Sequence, residues 1–480
     1  MSAARRPPAR LPPPLAARLP RFDRFRLGSG IEIVIAEMHD LPIVDVRWLA
    51  PGGAATELVG RAGLASLTAR LIDQGAGDYA ALDLAAAFER LGAHFGAAAD
   101  WDAAALVLHV LSDRLPDALA LLTAVVERPH LDEREFERKR LERLDALLQD
   151  EEDPAALASN AFLAAAYPST HRYALPLAGV PSTVRGLTRE DVLAFHRARY
   201  RPAGTSLIVV GDVSRDALVP LLESTFGGAA SEAVPTATEA APSADRARVV
   251  AWVDRPGAPQ SELRIGHAGP PRDTADYFAL IVMNTILGGA FTSRLNRRLR
   301  EAKGYTYGAR SRFAFRRGPG PFVAATAVGT EVTAAAIGDT VQELRGLCDA
   351  RVAEDEIERA RNYLALGLPS RLETGAAIAD RIAEIVLYGL ENDYFDRYTE
   401  RVLAVSADDV LRVARAHLDP DHLVVAVAGD RARIEDEIEA LGLGPITAAG
   451  PNAATRDGTR VAPARRPRPP QRSDSDPHPV

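Results

Sequence analysis

The feature that most constrains this chain is that it repeats itself at long range. Leu187-Thr-Arg-Glu-Asp-Val-Leu, followed by Pro202, Gly211 and Asp212, matches Val405-Ser-Ala-Asp-Asp-Val-Leu, followed by Pro420, Gly429 and Asp430, at a constant offset of 218 (405 − 187). Glu133, Glu135, Arg138 and Arg140 match Glu354, Glu356, Arg359 and Arg361 at an offset of 221 (354 − 133). A period of that length is far beyond the ~20–50 residues of a solenoid unit. It implies tandem duplication of one domain, and 480 residues are enough for two such cores.

Each copy mixes two periodicities. In the first, β-branched runs predict strands over 30–36, 42–49, 106–111 and 205–211. Leucine and alanine spacings predict helices over 61–74, 82–91, 115–126, 132–148, 155–167 and 189–200. The fold class is therefore α+β, built from two tandem homologous α/β half-domains. The N-terminal half spans 22–228 and the C-terminal half 245–444. They are joined over 229–244 by a linker of Ala, Ser, Thr and Pro. The proline- and arginine-rich ends, 1–21 and 445–480, read as disordered tails.

Composition narrows the function. A net charge of −8 argues against a general nucleic-acid binder, which presents a basic face. A single cysteine, Cys348, rules out an intrachain disulfide and a thiolate metal cluster. No apolar run reaches the ~18 residues that span a bilayer, and the proline-broken N-terminus lacks the apolar core of a secretory signal. A cytoplasmic location is expected.

One stretch carries the chemistry: Leu287-Gly-Gly-Ala-Phe-Thr-Ser-Arg-Leu-Asn-Arg-Arg-Leu-Arg-Glu-Ala-Lys-Gly-Tyr-Thr-Tyr-Gly308. Thr292 or Ser293 can cap a helix, Leu295 and Leu299 share its buried face, and Gly304 supplies its stop. From Tyr305 to Phe315 the residues alternate as in a strand. Arg300 then ends a helix and Tyr307 begins a strand, so a cation and a phenol converge at one corner. Taken singly, Arg300 suits any helix C-terminus and Tyr307 any strand. Arg294, Arg297 and Arg298 read by default as a solvated basic face. Gly288 and Gly289 lack the Lys-Ser/Thr of a phosphate loop and instead permit close packing of helix and backbone.

The stretch resembles the C-terminal half of the pitrilysin/insulinase family of zinc peptidases. The resemblance rests on Gly288, Gly289, Ser293, Arg294, Leu295, Leu299, Arg300, Glu301, Gly304 and Tyr307 in order and spacing, and with the duplication it extends over about 22–444. It implies two homologous halves facing each other as a clamshell. It also implies that Arg300 and Tyr307 position the substrate and stabilise the oxyanion of peptide hydrolysis. Tyr305 is a second candidate phenol, and Ser293 and Arg294 are weaker substrate-binding candidates.

Active members carry His-x-x-Glu-His on the first long helix, with a distal Glu some 75 residues on, giving three zinc ligands and an open position. The corresponding run is Gly63-Leu-Ala-Ser-Leu-Thr-Ala-Arg70. Ser66 and Arg70 stand where the two His would be, Ala69 where the catalytic Glu would be, and the distal position falls near Asp145 or Ala146. The 10 histidines offer no substitute pair at helical spacing. No cofactor is expected on this chain. The resemblance implies the metal-free subunit of a two-chain peptidase acting on peptides or unfolded segments, with zinc in a homologous partner. The alternative is a non-catalytic structural or peptide-binding protein of the same fold, as the family also contains.

Overall fold

The computed structural model describes residues 18–201, 204–228 and 248–450. Pro202, the expected linker 229–244 and most of both expected tails lie outside the described residues. Ordered structure nevertheless passes both expected tail boundaries. Leu19 is buried and its N–H donates to Asp396, and residues 446–448 form a strand.

The strands of the described residues form two six-stranded sheets. The first contains β1 (Asp23–Arg26), β2 (Glu32–Glu37), β3 (Ile43–Pro51), β4 (His94–Ala99), β5 (Ala103–Leu111) and β6 (Ser206–Gly211) in the order β1-β2-β6-β3-β5-β4. The second contains β7 (Val249–Asp254), β8 (Gln260–Ala268), β9 (Ala309–Phe313), β10 (Pro321–Gly329), β11 (Val424–Gly429) and β12 (Ile446–Ala448) in the order β12-β7-β11-β8-β10-β9. Five strands of each sheet are equivalent in order and direction: β2 and β6 are parallel, as are β7 and β11, and the remaining pairs are antiparallel. The duplication is therefore structural. Only the outermost strands differ, because β1 runs antiparallel to β2 whereas β12 runs parallel to β7.

The central strands are apolar on both faces because both faces are covered, and β6 (SLIVVG) and β11 (VVAVAG) are buried throughout. One face of each sheet packs on helices of its own half. The other receives a helix from the opposite half. Helix Pro154–Ala166, which belongs to the first half by sequence, lays Leu157, Ala158, Ala161 and Phe162 on Ala251, Val253, Ala426 and Ala428 of the second sheet. Helix Gly375–Tyr388 lays Ile378, Ala379 and Ile382 among Val34, Ala36, Ile208 and Val210 of the first. Alanine at these positions lets helix and sheet approach closely. Burying Leu157 and Phe162 alone stabilises the exchange by roughly 3–6 kcal/mol.

Candidate functional site

The motif stretch is built differently from its sequence expectation. Its helical part is π-helix over Thr285–Gly289 and again over Asn296–Ala302, a wide winding that recurs at functional sites. Gly288 lies flush against the strand that follows. A β-carbon there would sit 2.4 Å from the Ser311 nitrogen, which is the close approach the glycine pair permits. Leu295 and Leu299 share the buried face, and Gly304 takes the left-handed backbone that ends the helix (φ +66°). No side chain of Thr292 or Ser293 caps it. Ser293 is buried and its Oγ instead accepts from Asn296 Nδ2 at 3.2 Å.

The strand starts later than the alternation predicts, at Ala309, and ends at Phe313. Residues 303–308 form a loop because Asn296, absent from the sequence reading, fixes the strand start. Its Nδ2 donates to the Ala309 carbonyl at 2.8 Å, and its Oδ1 accepts from the Ala309 N–H at 3.0 Å. Asn284 Nδ2 donates to the Ser311 carbonyl at 3.1 Å. Two asparagines thus occupy the outer edge of β9. The equivalent edge strand of the first half, β4, has no hydrogen bond to its outer edge among the described residues.

Tyr307 sits in that loop and is 96% exposed. The loop itself is tied down. Gly308 N–H donates to Thr306 Oγ1 at 3.1 Å, and Thr326 on β10 donates to the Gly308 carbonyl at 3.1 Å. Tyr305, by contrast, is half-buried against the core, so the two phenols differ in availability. The Arg300 guanidinium lies over the exposed ring of Phe291, 4.3 Å from its centre, and among the described residues it has no carboxylate partner. Phe291 is a second residue the sequence reading passed over.

The other arginines of the stretch are mostly committed. Arg294 pairs bidentately with Glu356 at 2.7 and 3.0 Å, and that carboxylate holds its guanidinium more firmly protonated. Arg298 pairs with Asp339 at 2.7 Å, while Arg297 stays exposed. The basic face is thus largely neutralised rather than simply solvated.

In the first half, helix Leu64–Leu71 is held as firmly as a catalytic helix would need. Glu57, fully buried, accepts from Gly63 N–H at 3.0 Å at the helix start and from Arg172 Nε at 2.7 Å. A carboxylate at that end also suits the helix dipole. The residues this scaffold presents do not suit a dication. Ser66 and Ala69 are buried and Arg70 is exposed. Helix Glu133–Asp150 packs alongside and brings Arg143 Nη2 to 2.8 Å from Ser66 Oγ. Burial lowers the proton affinity of Arg143, and the charge of Arg70 nearby lowers it further. Among the described residues no three His, Cys, Asp or Glu side chains gather to hold a metal. Zinc does not fit here, since a guanidinium stands at one ligand position, Arg70, and a second, that of Arg143, is bonded to the residue at the other, Ser66. Arg143 lies two to three positions from the expected distal site near Asp145 or Ala146, and that proximity is the only sequence signal for it.

The family model described as Insulinase (Peptidase family M16) matches residues 33–179, and the one described as Peptidase M16 inactive domain matches residues 186–364. An uncharacterised zinc protease of Mycobacterium tuberculosis is 27% identical over 421 residues, covering 87% of this chain and 94% of that protein. The zinc protease PqqE of Helicobacter pylori is 23% identical, covering 83% and 90%. The crystal structure of a peptidase M16 inactive domain from Pseudomonas fluorescens superposes with a TM-score of 0.79 at 25% identity, covering 85% of this chain and 98% of that one. A Helicobacter pylori protease superposes with a TM-score of 0.81 at 19% identity, covering 86% and 100%. With two family models side by side over most of the described chain, on a duplicated fold shared with solved relatives, the chain belongs to the insulinase family of peptidases, peptidase family M16.

Proposed function

We propose that this chain is the metal-free subunit of a two-chain zinc metallopeptidase and supplies Arg300 and Tyr307 to the active site of a homologous, zinc-bearing partner. The observation that carries the reading is the contrast within one motif. Arg294 and Arg298 are bound to carboxylates and Ser293 is buried, whereas among the described residues the side chains of Arg300 and Tyr307, like that of the exposed Arg297, have no hydrogen-bonding partner, Arg300 resting on Phe291 and Tyr307 lying wholly in solvent. A guanidinium and a phenol are both donors. Placed where negative charge develops on a scissile carbonyl oxygen, they stabilise the oxyanion. The substrate is a peptide or unfolded segment, which can add to an open sheet edge through main-chain bonds with little sequence preference. The edge of β4 is open to such an addition, whereas that of β9 is filled.

The test is reconstitution. The chain is purified with whatever homologous subunit accompanies it, and zinc content and peptide cleavage are measured on the pair. Arg300→Ala with Tyr307→Phe should lower turnover by about 10²- to 10³-fold with assembly intact, the range for loss of oxyanion donors. Unchanged turnover would leave the chain as a structural or peptide-binding subunit of the same fold.

A further inference from the structure

The vacated metal position is not an inert patch. Arg143 is half-buried between helices, its Nε is fully buried with no hydrogen-bond partner, and its one hydrogen bond among the described residues goes to the neutral hydroxyl of Ser66. Neither Arg143 nor Arg70 has a carboxylate within ion-pairing distance among the described residues, although most arginines around them do: Arg138 pairs with Glu135 and Glu142, and Arg140 with Glu137. Two like charges side by side, one of them partly desolvated, repel, and the carboxylate of Asp150, beyond ion-pairing distance, offsets this only in part, so a closer anion would be favoured. The helix that carries Ser66 and Arg70 also packs against β4, the strand with the open edge.

We infer that this position is an anion site, in which Arg70 and Arg143 together hold a carboxylate of a peptide lying along the first half. The inference rests on the proposed function only for the peptide. A guanidinium fork matches the two oxygens of a carboxylate, and an incoming carboxylate relieves the repulsion between the two arginines. The carboxylate is either a peptide's C-terminus or an acidic side chain. Arg70, exposed, makes the first contact. Arg143, anchored on Ser66, supplies the less hydrated charge.

The probe is an N-acetylated Ala/Ser decapeptide titrated calorimetrically into the full-length chain. Three forms are compared: a free C-terminal carboxylate, a C-terminal amide, and an amide with one central Glu. One or both acidic forms should bind on the order of tenfold tighter than the plain amide, the scale of one charge-assisted hydrogen bond. A preference for the first form assigns the site to the C-terminus, and a preference for the third assigns it to side chains. Arg70→Gln and Arg143→Gln should each erode the preference and leave binding of the plain amide unchanged. If Arg143→Gln melts early, the exposed Arg70→Gln carries the test. Equal binding of the three forms, no measurable binding of any, or a preference that survives both substitutions overturns the inference. A zinc-bearing pair that cleaves peptides with no acidic preference in this chain sinks only the anion site. An acidic preference in a chain that joins no zinc-bearing subunit sinks only the two-chain reading.

Discussion

Arg47 and Arg264 stand 217 positions apart (264 − 47) and perform the same task on opposite sheets. Arg47 on β3 donates to the Ala376 carbonyl at 3.1 Å and to Asp380 at 2.8 Å, at the start of the helix lent by the second half. Arg264 on β8 donates to the Ala155 carbonyl at 3.1 Å and to Ser159 Oγ at 3.1 Å, at the start of the helix lent by the first. The contacted positions are themselves equivalent, each pair 221 apart (376 − 155 and 380 − 159). Each arginine also has an acid two residues before it, Asp45 or Glu262. The duplicated domains are thus latched reciprocally, each gripping the other's helix.

Breaking either latch should weaken the whole chain. Asp380 is about half exposed, so its ion pair contributes little. The larger loss is the bond to a helix carbonyl from a buried guanidinium. Arg47→Leu and Arg264→Leu should each lower unfolding stability by about 1–3 kcal/mol, read as a drop in the urea midpoint. If either leaves the midpoint unmoved, the latch does not hold the halves together.

Phe291 positions Arg300. A cation over an exposed ring is worth roughly 0.5–1 kcal/mol, so Phe291→Ala should slow peptide cleavage by the reconstituted pair about two- to fivefold. Because the ring is 65% exposed, the thermal midpoint of the chain should stay put. Full activity in this variant would mean that Arg300 finds its place without the ring, and a shifted midpoint would assign Phe291 to packing instead.

Much of this architecture was legible in the chain because it rests on repetition and periodicity. The offsets of 218 and 221 foretold two equivalent sheets with their helices, and Val405-Ser-Ala-Asp-Asp-Val-Leu falls on helix Ala407–His417 as Leu187-Thr-Arg-Glu-Asp-Val-Leu falls on Arg189–Arg199. The exchange of helices was not legible. An Ala-rich helix docked on its own sheet or on its neighbour's has the same pattern. Strand β4 (HFGAAA) escaped notice because alanine and glycine carry no strand signal. The loop that presents Tyr307 carries the alternation of a strand, and only the tertiary bonds of Asn296 decide where pairing begins. The identities of Ser66, Ala69 and Arg70 were plain, but that Arg143 reaches Ser66 needed two helices side by side.

Asn296 is therefore a place where the presentation of Tyr307 can be altered without touching it. Asn296→Ala would leave both backbone groups of Ala309 without partners in a buried setting, at a cost of about 2–4 kcal/mol for two lost bonds. The start of β9 should fray, with faster amide exchange at Ala309 and Arg310 and lower turnover of the reconstituted pair. Unchanged exchange at Ala309 would show that β10 alone sets the strand's start.

Asp102 couples the two halves to pH. It is almost fully buried where they meet, and its Oδ2 accepts from Tyr388 Oη at 2.9 Å and from Arg317 N–H at 3.1 Å, both from the second half. Among the described residues its Oδ1 has no hydrogen-bond partner. Burial raises its proton affinity above the ordinary value of 3.8, and the bonds from Tyr388 and Arg317 offset this only in part. The folded chain then binds this proton more tightly than the unfolded chain, so the contribution of Asp102 to stability is fully present below pH 3.8 and is lost as pH rises through its folded value. Asp102→Asn keeps the shape without the charge. The stability of the wild type relative to this variant should fall as pH rises from the ordinary value of 3.8 through the raised folded one, measured by urea unfolding at each pH. A difference that stays flat, or that grows in the wild type's favour, would mean that the carboxylate is accommodated in its charged form and that the seam between the halves does not sense protons at this residue.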